Sequence, residues 1–134
     1  AICQNALAFG VGQASPEEID QLNILGATML AMNRAADSLS LRPDLLLIDG
    51  NCSCSIRYPA QTLVKGDSKS LSIAAASILA KVTRDRILYD LAEIYPQYHL
   101  EKHKGYPTAE HIALLRRFGP CEIYRKSFLR KICP

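Results

Sequence analysis

The sequence predicts an α/β fold, and three observations carry that prediction. Leu45 to Ile48 is a continuous apolar run, the pattern of a strand buried on both faces in the middle of a sheet. A second short β-compatible run, Gln61 to Val64, follows it. Long helical patterns with clear start signals stand on either side of this pair.

The first element is expected at Ala6–Val11, a short apolar stretch that reads as a strand although Gly10 and Gly12 interrupt it. "SPEEID" then opens a helix. Ser15 is a cap, Pro16 suits the first helical position, and Glu18 completes a capping box. Leu22, Leu25, Met29, Met32 and Ala36 share one helical face, which carries the helix to about Leu39, with Pro43 marking its end. After the two central strands, a helix is expected from Leu71 to Ile94, stopped by Pro96. Its first turns use Ala74, Ala75, Ala76 and Ser77, small residues that let a helix lie close to another backbone. Later in the helix, Lys81–Asp85 and Arg86–Asp90 have the i, i+4 spacing of surface ion pairs. "HKGYPT" reads as a loop, and Thr108 caps a helix that ends at Phe118 before Gly119 and Pro120. No linker or repeat divides the chain, so residues 1–134 are expected to form one domain.

Apolar residues make up 49% of the 134 and charged residues 22%, the balance of a soluble globular protein. No apolar run is long enough to span a bilayer, and no segment reads as a signal peptide, which together point to the cytoplasm. The chain starts at Ala1 with its first methionine at Met29, so it reads as a piece of something longer. Net charge is +3 but unevenly spread: residues 1–64 balance to −3 and residues 65–134 to +6. A basic half suits a polyanionic partner as well as a plain solvated surface. The five cysteines are irregularly spaced. Cys52 and Cys54 form C-x-C rather than C-x-x-C, with no second pair at zinc-finger spacing, so they read as ordinary reduced thiols.

Two carboxylates occupy positions where α/β sheets place chemistry. Asp49 directly follows the first central strand and Asp67 closely follows the second, so both could project from the same sheet edge. An ordinary turn aspartate before glycine is the plainer reading of Asp49 taken alone. Such a pair could hold Mg²⁺ or Mn²⁺, which prefer oxygen ligands. Two such ions about 4 Å apart are a common device for cutting phosphodiesters. Two-metal centres usually draw on more than two carboxylates, and Asp37, Asp44 and Glu101 read as exposed residues outside the pair.

"GDSKSLSIAAASILAKVTRDR" closely resembles the signature of ribonuclease HII, a bacterial type 2 ribonuclease H. So do "LLLIDGN", "ASPEEIDQLNILGATMLAMNRA", "YPQYHLEKHKGYPTAEH" and "RKSF", in the family's order and over nearly all of the chain. The resemblance implies a ribonuclease H-like α/β fold, a mixed sheet flanked by helices. It implies an endonuclease that cleaves the RNA strand of RNA–DNA hybrids and nicks DNA on the 5′ side of embedded ribonucleotides. It further implies four acidic residues that bind Mg²⁺ or Mn²⁺ in a two-metal site, with Asp49 and Asp67 as two of the four, and a monomer when complete. Tyr106 matches the tyrosine that senses the ribonucleotide–DNA junction, and its neighbours Lys104 and His103 fall to the substrate side. The family's D-E-A-G-R-G motif, which supplies the other two carboxylates, is nowhere in this sequence. The chain is therefore expected to be the N-terminally truncated, C-terminal two-thirds of such an enzyme. A non-catalytic nucleic-acid-binding remnant, or a fragment without an independent role, is the alternative.

Overall fold

The computed structural model describes residues 1–121 and 123–125. The chain divides into two compact units, Ala1–Ala80 and Lys81–Pro134. In chain order the elements are α1 (Ile2–Asn5), α2 (Pro16–Asp37), β1 (Leu46–Asp49), β2 (Ala60–Leu63), α3 (Leu71–Ile94), α4 (Leu100–His103) and α5 (Ala109–Phe118). Short 3₁₀ turns stand at Gly66–Ser68 and Pro96–Tyr98. The α/β class holds: among the described residues, helices accompany a two-stranded parallel sheet. Among the described residues, no helix is long and apolar enough to cross a membrane.

In the first unit, the capping box at α2 forms as the sequence predicts: the Glu18 amide donates to Ser15 Oγ at 3.1 Å and the Ser15 amide to Glu18 Oε1 at 3.0 Å. The helix does not continue straight. Asn23 adopts φ 62°, ψ 176°, and its Oδ1 accepts from the Gly26 amide at 3.0 Å, so it ends one helical segment and caps the next. The turn is sharp. Residues 16 apart on a straight helix would be about 24 Å apart, yet Arg34 donates to both carboxylate oxygens of Glu18, at 2.7 and 2.6 Å. The Arg34 guanidinium holds Glu18 down to about 2. The break rotates the apolar face. Leu22 and Leu25, expected in the core, are largely exposed, whereas Met29, Asn33 and Ala36 are buried.

The expected strand at Ala6–Val11 does not form. Its glycines bring this segment against the backbone of α2 instead. A Cβ on Gly12 would lie 2.1 Å from the Ala31 carbonyl oxygen, and one on Gly10 would lie 2.9 Å from that of Ala35. Glycine here serves close approach to a helix rather than strand pairing.

Strands β1 and β2 pair in parallel with Ile48 opposite Thr62 and Asp49 opposite Leu63. The double-sided burial expected of the apolar run is not found. Ile48 is buried, but Leu45 and Leu47 are exposed, because packing covers only one face of this sheet among the described residues.

Parallel neighbours cannot be joined by a tight hairpin, and here residues 50–59 make the crossover without a helix. Asn33, only 5% exposed, holds that connection. Its Nδ2 donates to the Ser55 carbonyl at 2.8 Å, and its Oδ1 accepts from the Arg57 amide at 3.0 Å. One turn on, Asp37 accepts from the Tyr58 hydroxyl and the Arg57 guanidinium. Asn33→Ala strips two backbone groups of their partners and is expected to cost about 1–3 kcal/mol. A urea unfolding curve that matches the parent chain would show that the connection is held elsewhere.

Helix α3 spans Leu71–Ile94 as expected from the sequence. Ser70 Oγ accepts from the Ile73 amide at 3.3 Å and opens it, and Ile73 is its buried anchor at this end. In the second unit the core is Tyr98, Leu100 and Leu115, with Leu91, Tyr95 and Tyr124 packed on it. The Tyr98 hydroxyl donates to the Gly119 carbonyl, tying the end of α5 to this core. The 3₁₀ turn at Pro96–Tyr98 and the single turn α4 had no periodic signal in the sequence, being too short to show one. Thr108 Oγ accepts from the His111 amide at 3.2 Å and caps α5 as predicted. The basic residues Lys126, Arg130 and Lys131, and most of "RKSF", lie outside the described residues.

Candidate nuclease site

Asp49 is the last residue of β1, and Asp67 sits in the 3₁₀ turn that follows β2. Parallel pairing puts both at the same edge of the sheet. Gly66 links Asp49 to the turn that carries Asp67. Its amide donates to Asp49 Oδ1 at 2.9 Å, which orients the carboxylate. The turn packs so closely that a Cβ on Gly66 would lie 2.6 Å from Ile73 Cδ1, 3.3 Å from Leu63 Cβ and 3.5 Å from Asp49 Cα. Gly66 is itself buried, while Asp49 and Asp67 are exposed. Lys65 enters the turn in the left-handed region at φ 54°.

Two exposed carboxylates at one strand edge are hard oxygen donors, the type that Mg²⁺ and Mn²⁺ prefer. The donor type therefore fits. The number is small: among the described residues, no three or more of His, Cys, Asp and Glu come together as a metal-binding group. Asp37 is engaged by Arg57 and Tyr58, while Asp44 and Glu101 lie exposed on other segments.

Tyr106, Lys104 and His103 lie in the second unit. Tyr106 is 65% exposed, and the Arg84 guanidinium stands 6.0 Å from its ring centroid. Its backbone is held on both sides. The Tyr106 amide donates to the His103 carbonyl at 3.0 Å, while its own carbonyl accepts from the Thr108 amide at 2.8 Å. His111 Nδ1 lies 2.8 Å from that same carbonyl and, facing an acceptor, is the donor. An exposed ring on a fixed backbone is a pre-organised platform.

His103 is buried, unlike its neighbours in the loop. Its Nδ1 accepts from the Gly105 amide at 3.1 Å and its Nε2 donates to the Tyr98 carbonyl. The ring stacks on His111 with centroids 3.8 Å apart. Both nitrogens are thus spent on backbone, one on the loop and one on the 3₁₀ turn before α4. Lys104 caps α4 in the left-handed region at φ 51°, and its Nζ lies 3.2 Å from Asp85. Asp85 therefore pairs with Lys104 rather than with Lys81 along the helix.

His111 was not singled out in the sequence. Its signal is weak, a histidine three residues after the cap of a short helix, yet it is fully buried beneath Tyr106. Its Nε2 accepts from the Tyr124 hydroxyl at 2.6 Å. Burial, with the stacked His103 ring adding to it, lowers its pKa below the usual 6.5. The unfolded chain therefore binds the proton more tightly. This contribution to stability is complete above about pH 6.5 and is lost as pH falls through that value towards the lower folded one. Urea midpoints measured at pH 7.5 and pH 5 should fall with acid, and should fall less in His111→Phe. Equal falls in the two chains would exclude His111 as the cause.

The family model for ribonuclease HII matches residues 2–131. A ribonuclease HII of Caldicellulosiruptor saccharolyticus is 49% identical over 131 residues, covering 98% of this chain and 64% of its own length. A ribonuclease HII of a Shewanella species is 55% identical over 132 residues, covering 95% of this chain and 63% of its own. The chain thus spans just under two thirds of the length of the curated relatives it matches. The motif-bearing residues Asp49, Asp67 and Tyr106 all lie inside the matched region, and the chain belongs to the ribonuclease HII family.

Proposed function

We propose that this chain is part of a metal-dependent endonuclease that cleaves the RNA strand of RNA–DNA hybrids and nicks DNA 5′ of embedded ribonucleotides. The observation that carries the reading is the placement of Asp49 at the end of β1 and of Asp67 in the turn that follows the neighbouring parallel strand β2, with the Gly66 amide of that turn bonded to Asp49. Asp49 and Asp67 would hold Mg²⁺ or Mn²⁺, which supplies Lewis-acid stabilisation of a phosphoryl oxygen and a water activated for attack. The hydrogen bond from Gly66 fixes the orientation of one carboxylate before any ligand arrives, which lowers the cost of ordering it.

Tyr106 offers its exposed ring to a sugar at the junction between ribonucleotide and DNA, and the nearby Arg84 adds positive charge beside that face. Lys104 and the basic balance of residues 65–134 favour the phosphate backbone. His103 belongs to the machinery that shapes the loop, since its ring is buried and bonded to backbone. The protein works on nucleic acid in the cytoplasm as a monomer in this reading.

In a full-length protein carrying this sequence, Tyr106→Ala is expected to slow nicking at a single ribonucleotide in DNA by roughly tenfold, the effect of losing about 1.4 kcal/mol of contact with the junction. Cleavage of a uniform RNA–DNA hybrid should fall less, because it presents no unique junction. Parallel single-turnover rates on the two substrates test this. Unchanged rates on both would leave the tyrosine with a packing role only, and the absence of cleavage by the parent protein in either metal would remove the nuclease reading itself.

A further inference from the structure

The connection between β1 and β2 carries two cysteines that the nuclease reading does not use. Cys52 Sγ and Cys54 Sγ lie 3.0 Å apart, with Cys54 exposed and Cys52 partly so. A bonded disulfide needs about 2.05 Å, so ring closure asks for about 1 Å of movement. The segment is held at both ends. The Gly50 amide donates to the Leu63 carbonyl at 3.0 Å and continues the ladder of the sheet. At the other end Asn33 fixes Ser55 and Arg57. Between them the Ile56 amide donates to the Ser53 carbonyl at 3.3 Å, and Ser55 is driven into the left-handed region at φ 64°. The two thiols are thus brought together by a tethered turn rather than by chance encounter.

A metal is the other natural occupant of paired thiols. Two sulfurs do not complete the four-coordinate shell of a structural zinc, and among the described residues no third His, Cys, Asp or Glu gathers with them. Redox chemistry needs only the two.

We propose that Cys52 and Cys54 form a reversible dithiol–disulfide couple that exchanges with low-molecular-weight disulfides of the glutathione type. One thiolate attacks the reagent's S–S bond, which breaks and releases one thiol, leaving a mixed disulfide. The second thiolate attacks the protein sulfur of that bond and expels the other thiol. The protein loses two electrons and two protons, and the reagent is reduced to two thiols. Cys52 is the natural first nucleophile. A hydrogen bond from Cys54 lowers its pKa, while Cys54 is raised by the same contact. The ring spans a single intervening residue and faces solvent, features that make a disulfide strained, labile and easily reduced again.

The test uses the whole 134-residue chain, reduced and folded, exposed to oxidised glutathione and then alkylated and digested with trypsin. Because the bond before Pro43 resists trypsin, the peptide Ala35–Arg57 carries Cys52 and Cys54 and no other cysteine. That peptide is expected to lose two hydrogens and to regain them with dithiothreitol. Closure should be at least about tenfold faster in the folded chain than in urea, because the fold supplies the proximity. In Cys54→Ser a glutathione adduct should accumulate on Cys52. The proposal is overturned if the peptide keeps both thiols or stable glutathione adducts. Pairing of either cysteine with Cys3, Cys121, Cys133 or a second chain, or an equal rate in urea, overturns it as well. None of these outcomes bears on the nuclease reading.

Discussion

In a full-length protein carrying this sequence, Asp49→Asn or Asp67→Asn is expected to lower turnover by about a thousandfold or more while the fold stays intact, if the pair holds the metal as proposed. A metal ion contributes several kcal/mol of charge stabilisation to a phosphoryl transfer, and each 1.36 kcal/mol is a factor of ten. The substitution keeps size and removes the negative charge that the ion requires. Asp49→Asn also keeps an amide oxygen that accepts from the Gly66 amide, so the turn between β2 and α3 is not disturbed by that change. The measurement is single-turnover cleavage at saturating Mg²⁺, with circular dichroism as the check on folding. Near-parental cleavage by either variant would take that aspartate out of the site. The two positions can fail independently, because one ends a strand and the other sits in a separate turn.

The 134-residue chain assayed by itself is expected to bind Mg²⁺ weakly and to leave a DNA duplex containing one ribonucleotide uncut. Two ions about 4 Å apart bring four positive charges, and Asp49 and Asp67 neutralise at most two of them. Water fills coordination positions without supplying charge. Among the described residues no third carboxylate joins the pair. A separate polypeptide carrying the D-E-A-G-R-G segment of the family should restore both binding and nicking, since its carboxylates complete the charge balance. Nicking is assayed with and without that polypeptide, in Mg²⁺ and in Mn²⁺. Robust metal-dependent nicking by the pure chain would mean that another carboxylate, from this chain or from a second copy, completes the centre.

The sequence by itself determined the elements whose signals are local. Capping chemistry acts within one turn of helix, so Ser15 with Glu18, and Thr108 before His111, were legible as helix starts. The span of α3 was legible between its polar entry and Pro96, and the two strands followed from short apolar runs bounded by turn residues. The positions of Asp49 at the end of β1 and of Asp67 in the turn after β2 were legible, because they are defined by the chain alone. The "HKGYPT" loop was legible from its Gly and Pro.

Tertiary structure decided whatever depends on partners distant in the chain. Ala6–Val11 has the composition of a strand, but strands need a hydrogen-bonding neighbour, and Gly10 and Gly12 bring it against α2 instead. The apolar face expected across Leu22 and Leu25 assumed a straight helix, whereas Asn23 reverses it and the Glu18–Arg34 pair holds the two segments together. Asn33 carries no local signal, and only the backbone of residues 55–57 gives it partners. His103 sat in the loop with no mark to distinguish it from Lys104, yet burial and a stacked His111 turn its ring inward while Tyr106 stays in solvent. The bond between Asp49 and the turn that carries Asp67 was the least visible of all. Strand-end spacing predicts a shared edge, but the close approach of the turn depends on Gly66 having no Cβ to collide with Ile73 and Leu63, and that is a property of packing in three dimensions.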